Sequence, residues 1–295
     1  MEPKVDWADN SGTDQYGTWA DLHIGGVVQR FRWCPPGEFA LGSPEAEVGR
    51  TDVEGPQQRV VIRRGFWMGD TPVTQRLWLA FMGTNPSSSL RGVDLDRPVE
   101  DVGWYQAVEF GNLLTQRSQR AGVDDDGLAF RLPSEAEWEY ACRAGTASSS
   151  YSGDFSPFEP GTTHELDRIA WFAANTGVGD NLNRLRWMSN KAPNATAGTR
   201  AVKQKAPNAW GIFDSLGNVW EWCFDSVHLG AGYQQGLRVD PLGRVGGYRA
   251  LRGGCWYSRP RELRAASRVA LRPKRGENFV GFRLVRGKAH DTDPL

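Results

Sequence analysis

Asn208 to Cys223 reads NAWGIFDSLGNVWEWC, and no other stretch limits the fold so sharply. Three tryptophans, a Phe and an Ile crowd between glycines, and side chains of that size belong inside a core. The spacing neither alternates throughout like a strand nor keeps a helical period. A turn over Asp214–Asn218, with Gly or Asn at positive φ, followed by a strand over Val219–Cys223, satisfies both constraints. Glu221 then falls between Trp220 and Trp222, where a carboxylate is costly without a partner. Two readings stand for it: a salt bridge or hydrogen bond to an arginine, or a calcium- or ligand-holding group.

Composition supports a loop-rich globular fold with aromatic anchors, since 13 Trp and 35 Gly are spread over 295 residues. That length suffices for one large domain or two small ones. Formal net charge is zero and the pI is about 6.9, which argues against a nucleic-acid surface over the whole chain. No apolar run follows Met1 and no stretch of roughly 20 apolar residues occurs, so the expectation is a cytoplasmic protein without a membrane span. The four cysteines, Cys34, Cys142, Cys223 and Cys255, form no CxxC pair and sit in apolar or aromatic contexts, as buried inert thiols do. His23, His164, His228 and His290 show no metal-site spacing.

In chain order, residues 1–25 are polar and read as an arm ordered only by docking. Strands are expected over Val27–Trp33, Glu38–Leu41, Val60–Arg63 and Gly65–Met68. Thr74 is placed to cap a helix whose Leu77, Trp78, Phe81 and Met82 share one face. Trp104 to Leu114 repeats that pattern. In RLPSEAEWEYACRAG, Ser134 and Glu137 form a capping box; Glu135, Glu137 and Glu139 could suggest acid–base work, but capping and the helix dipole explain their placement as well. Residues 146–205 lack periodicity but carry Trp171, Phe172 and Trp187, so they form a packed irregular region. The oxygens of Asn175, Asp180, Asn181 and Asn183 fit an Asx-turn region, not an EF-hand. Tyr248–Arg252 and Gly281–Val285 read as strands. The arginines between them suit buried pairing with Glu221, Asp225 or Glu137.

The order CPPGEFALGS, DTPVTQRLW, RLPSEAEWEYACRAG, NAWGIFDSLGNVWEW, LRGGCW, GFRLV resembles the formylglycine-generating enzyme, or sulfatase-modifying-factor, family over roughly residues 26–286. The resemblance implies one compact, irregular α+β domain related to the C-type lectin fold, flanked by the 1–25 arm and a 287–295 tail. The family includes copper oxidases that convert a sulfatase cysteine to formylglycine, iron-dependent sulfoxide synthases, and non-catalytic ligand-binding proteins such as the variable proteins of diversity-generating retroelements.

The two copper cysteines of the oxidase would fall at Ser258 and near Leu263, and neither position holds a thiol. Serine is a poor Cu(I) ligand. The histidine pattern of the iron branch is absent as well. Structural calcium is implied instead, with Asn218, Val219 and Glu221 at one site and Asn181 in the region of another. The expected function is therefore binding of a protein or peptide, with no cofactor needed for catalysis. The ligand face would be Tyr257, Ser258, Arg259, Pro260, Arg261, Leu263, Val269, Leu271, Lys274, Glu277, Asn278 and Phe279, held by a fixed frame of Arg252, Arg264, Arg268 and Arg283. The rival is a metal-dependent oxidase or tailoring enzyme with a non-classical site drawn from Glu221, Arg268, Tyr257, Ser258 and His228.

Overall fold

Alternating apolar positions set the first layer. Strands β2 (Gly17–Ile24) and β3 (Val27–Cys34) bury Ala20, Leu22, Ile24 and Phe31 on shared faces, with Ala20 opposite Phe31 in antiparallel register. The computed structural model describes residues 5–87, 94–120, 127–159, 162–177 and 197–290. With β1 (Asn10–Asp14), β6 (Phe66–Gly69), β7 (Leu128–Arg131) and β13 (Val285–Lys288), these strands form a sheet in the order β1-β2-β3-β6-β13-β7. Within the expected 1–25 arm, residues 10–24 dock by hydrogen-bonding as two strands of this sheet. Trp7 is buried too, edge-on to Phe31, Trp67 and Phe130 at centroid distances of 5.4, 5.5 and 5.7 Å. At the other end, Gly287 and Lys288 of the expected tail belong to β13.

Two smaller sheets complete the strand layer. One runs β4 (Gly37–Leu41), β5 (Gln58–Ile62), β9 (Arg238–Val239). The other runs β11 (Arg268–Leu271), β10 (Tyr248–Arg252), β8 (Trp220–Val227), β12 (Val280–Gly281). The aromatic run thus becomes β8, at the centre of the second sheet. Trp220 and Trp222 are both buried.

The helices follow their sequence signals. Helix α1 (Gln75–Met82) starts at Thr74, whose side chain accepts from Leu77 N at 3.1 Å, and ends at Gly83 in the left-handed region. Helix α2 (Trp104–Arg120) runs past Leu114 and packs on β7, while α3 (Glu135–Arg143) packs against β4, β8 and β10. A short α4 spans Thr162–Asp167. The capping box is present: Ser134 Oγ accepts from Glu137 N at 3.1 Å, and Glu137 Oε2 accepts from Ser134 N at 2.8 Å. Together the helices and sheets form the α+β domain that the motifs imply.

Candidate functional site

The turn before β8 is built as its residues demand. Asp214, Gly217 and Asn218 have φ of 52°, 80° and 61°, and a Cβ on Gly217 would stand 2.3 Å from Trp171 O. This close approach seats β8 and turns Glu221 inward. Both Glu221 oxygens accept from the Arg283 fork, from Nε and Nη2 at 2.6 Å each, and Trp138 Nε1 donates to Oε2 at 2.7 Å.

The four frame arginines all lie buried on carboxylates. Arg252 donates to Glu135 at 2.9 Å and also pairs with Glu139. Arg268 clasps both oxygens of Glu135 at 2.5 and 2.7 Å, and Tyr233 donates its hydroxyl to the same carboxylate at 3.0 Å. Arg264 holds both oxygens of Glu54 at 2.6 and 2.7 Å and reaches Glu47 at 2.7 Å. Burial opposes the charge on Glu135, but Arg268 and Arg252 outweigh it and hold the carboxyl below its usual range.

Of the carboxylates named as partners for these arginines, Glu221 takes Arg283, whereas Glu137 pairs with Arg131 at 2.7 Å. Glu135 stands in the first turn of α3, where the dipole favours its charge, and both Glu135 and Glu139 have a further role that local spacing did not show. They face the core and neutralise arginines, because one side of α3 lies against β10. Asp225 meets no arginine fork, and instead accepts the backbone N–H groups of Gly243 and Glu135, each at 2.7 Å. Burial, and then the charge of Glu135, push its carboxyl up to about 7.

Above this frame lies the expected ligand segment. Gly253 and Gly254 carry φ of 99° and 79°, and Trp256 is buried with Nε1 donating to Asn278 O at 3.0 Å. The Tyr257 ring stands 5.1 Å from Trp256 and 5.0 Å from Phe279, joining the start of the segment to its end. Arg259, Arg261, Val269 and Lys274 are exposed, while Tyr257, Pro260, Leu271, Glu277, Asn278 and Phe279 are half-buried.

Ser258 and Leu263 are corrections, because both are sealed from solvent and belong to no ligand face. Ser258 Oγ accepts from Cys255 N at 3.0 Å to close a tight turn, and Leu263 packs with Trp138, Leu216 and Ala250. These two positions therefore present a hydrogen-bonded hydroxyl and an alkyl group where a Cu(I) dithiolate would need two sulfurs. Cys255 offers no replacement: its thiol is buried, 3.6 Å from Ser258 Oγ, and burial pushes it up to about 12. Of the rival set, Glu221 and Arg268 are spent in the frame and His228 is exposed, with no hydrogen bond to a serine among the described residues.

The residues assigned to calcium are also engaged. Asn218 Oδ1 accepts from Arg200 N and its Nδ2 donates to Arg200 O, both at 3.0 Å, and Glu221 carries the Arg283 fork. Asn181 lies outside the described residues, as do Asp180 and Asn183. Among the described residues, no three His, Cys, Asp or Glu side chains gather as a metal site. Away from the segment, a cavity of about 370 Å³ is lined by Phe39, Tyr140, Trp210 and Arg143. Its Arg143 donors are spent on Glu139, Ser148 O and Gly42 O.

Comparison with known proteins agrees with this geometry. Residues 27–288 match the sulfatase-modifying factor enzyme 1-like domain. The chain is 30% identical over 298 residues to the formylglycine-generating enzyme of Streptomyces coelicolor, covering 88% of each. It is 30% identical over 187 residues to the chaperone protein LppX of Paenibacillus barcinonensis, covering 54% of this chain and 62% of that relative. Among solved structures, Treponema denticola variable protein 1 aligns with a TM-score of 0.72 and 26% identity, over 90% of this chain and 98% of the other. Shared motifs, fold and a match spanning nearly all of the domain lead to one assignment: this chain belongs to the sulfatase-modifying factor enzyme 1-like family.

Proposed function

We propose that this protein is a non-catalytic member of its family that binds a protein or peptide through the outward side chains of residues 257–279. One contrast carries the reading. Arg252, Arg264, Arg268 and Arg283 are locked inside by ion pairs, whereas Arg259, Arg261, Val269 and Lys274 are exposed and Tyr257 and Phe279 half-buried on that frame. A segment anchored this way can change its exposed residues without disturbing the core. Aromatic and arginine side chains are also the types that dominate interface hot spots. The likeness to a variable protein supports the same use of the segment, including diversification of its exposed positions by a retroelement.

No cofactor enters this reading. Calcium as a structural ion would have to share Glu221 with Arg283. The test is to reconstitute the protein with copper and supply a cysteine-containing sulfatase peptide. Unchanged peptide mass and no oxygen uptake are expected. Formylglycine formation would overturn the proposal and restore the oxidase.

A further inference from the structure

In a chain of zero formal net charge, residues 257–279 hold seven cations against two carboxylates. Arg264 and Arg268 turn inward and are neutralised by Glu47, Glu54 and Glu135. Arg275 is paired with Glu277, and Glu262 accepts the Arg259 backbone N–H at 3.1 Å. Arg259, Arg261, Arg272 and Lys274 remain exposed, with no ion pair among the described residues. Acids do border the segment: Asp101 abuts Gly276, and Glu165 lies on α4, which packs beside the 3-10 turn Pro260–Glu262. With Glu262, whose charge a backbone N–H does not neutralise, they make three acids against the four cations.

The placement of these cations is what gives them meaning. Tyr257 and Phe279, with rings 5.0 Å apart, form a half-buried apolar step between the two arms of the segment. Arg259 and Arg261 follow Tyr257 on one arm. On the other, Arg272 to Arg275 is a turn closed by Arg275 N donating to Arg272 O at 3.1 Å, and held in place by Trp104 N donating to Pro273 O at 2.8 Å. Lys274 therefore projects from a braced turn. Exposed cations on a segment that also carries an aromatic pair attract carboxylates and repel basic competitors, and a guanidinium can take a carboxylate through two parallel bonds.

We infer that the occupant of this face is an acidic protein segment, one that seats an apolar side chain on Tyr257 and Phe279 and sets Asp or Glu beside Arg259, Arg272 and Lys274. The inference rests on the binding reading above and adds the chemistry of the partner.

The experiment pans a random peptide display library on the intact protein. It keeps peptides whose capture is lost on the Tyr257→Ala/Phe279→Ala double variant, with the thermal midpoint of that variant confirming that it is folded. The expected peptides are rich in Asp and Glu. A synthetic copy of the best one should bind at least about tenfold more weakly to Arg272→Glu/Lys274→Glu, and weaken comparably between about 50 and 300 mM salt. Peptides that depend on Tyr257 and Phe279 but are neutral or basic would overturn the acidic partner and leave the binding reading standing. Finding no peptide that depends on those two side chains would sink both. A labelled DNA duplex that binds more tightly than the best peptide, and is lost with Arg272→Glu/Lys274→Glu, would also overturn the inference by giving the cations to phosphate.

Discussion

Arg283 and Glu221 meet as fork on fork, two nitrogens each 2.6 Å from a different carboxylate oxygen, with neither side chain exposed to water. Removing one member strands a buried charge. Arg283→Ala and Glu221→Ala should each cost about 3–5 kcal/mol, and the apolar double variant Glu221→Leu/Arg283→Met should recover much of that loss. Urea denaturation of the three variants measures it. Single variants as stable as the parent would mean that water reaches the pair.

Tyr257→Ala and Phe279→Ala should behave in the opposite way. Both rings are half-buried, so the fold should tolerate the change while a peptide ligand of the segment loses at least ~2 kcal/mol of binding. Calorimetric titration beside a melting curve separates the two effects. If these variants unfold while Arg283→Ala stays folded and loses binding, frame and ligand face have been exchanged.

Trp222 is fully buried at the centre of the four-stranded sheet, and its indole N–H donates to Val102 O at 2.8 Å. Trp222→Ala should cost about 3–5 kcal/mol through lost burial and a cavity. A loss under about 1 kcal/mol would remove β8 from its organising place.

Ser134→Ala should lower stability by roughly 1 kcal/mol, because the N–H of Glu137 then loses its acceptor. An unchanged urea midpoint would show that water replaces the hydroxyl without cost.

Glu137 sets an acid limit. Burial works against its charge, but Arg131 more than compensates, bringing the carboxyl from 4.5 down to about 2. A carboxylate with its folded-state value lowered contributes stability above its unfolded value and loses it as pH falls. The contribution, about 3 kcal/mol by linkage, should therefore be present above pH 4.5 and disappear toward pH 2. Glu137→Gln should flatten the stability profile over that window. A wild-type slope in the variant would assign acid sensitivity to other groups.

What the sequence could reveal was decided by the separation of the interacting groups. The Ser134–Glu137 box and the Thr74 cap close within three residues, so local spacing announced them. The arginine frame was legible as buried charge, since four arginines near a carboxylate-poor end require partners from elsewhere. Glu221 was named among their partners and takes Arg283, but the other carboxylates were not legible: Arg252 reaches Glu135 across 117 positions and Arg268 does so across 133. Residues 10–24 were legible as a docking arm but not as strands, because a sheet-edge hairpin has only one apolar face, and NSGTD in β1 shows almost none. Ser258 and Leu263 were placed outside by their position in the segment, whereas the turn at Cys255–Ser258 and the 3-10 turn after it carry both inward.

The order β1-β2-β3-β6-β13-β7 has a kinetic corollary. Strand β13 lies between β6 and β7, bonded to both, yet the ribosome makes it after every other strand of that sheet. Until it emerges, β6 and β7 each keep an edge with unpaired backbone groups, the kind of edge on which nascent chains associate wrongly. The sheet can then close only by threading its final member into a waiting gap. Truncation at residue 284 should therefore yield a chain that sediments with aggregates, not a slightly shortened soluble protein.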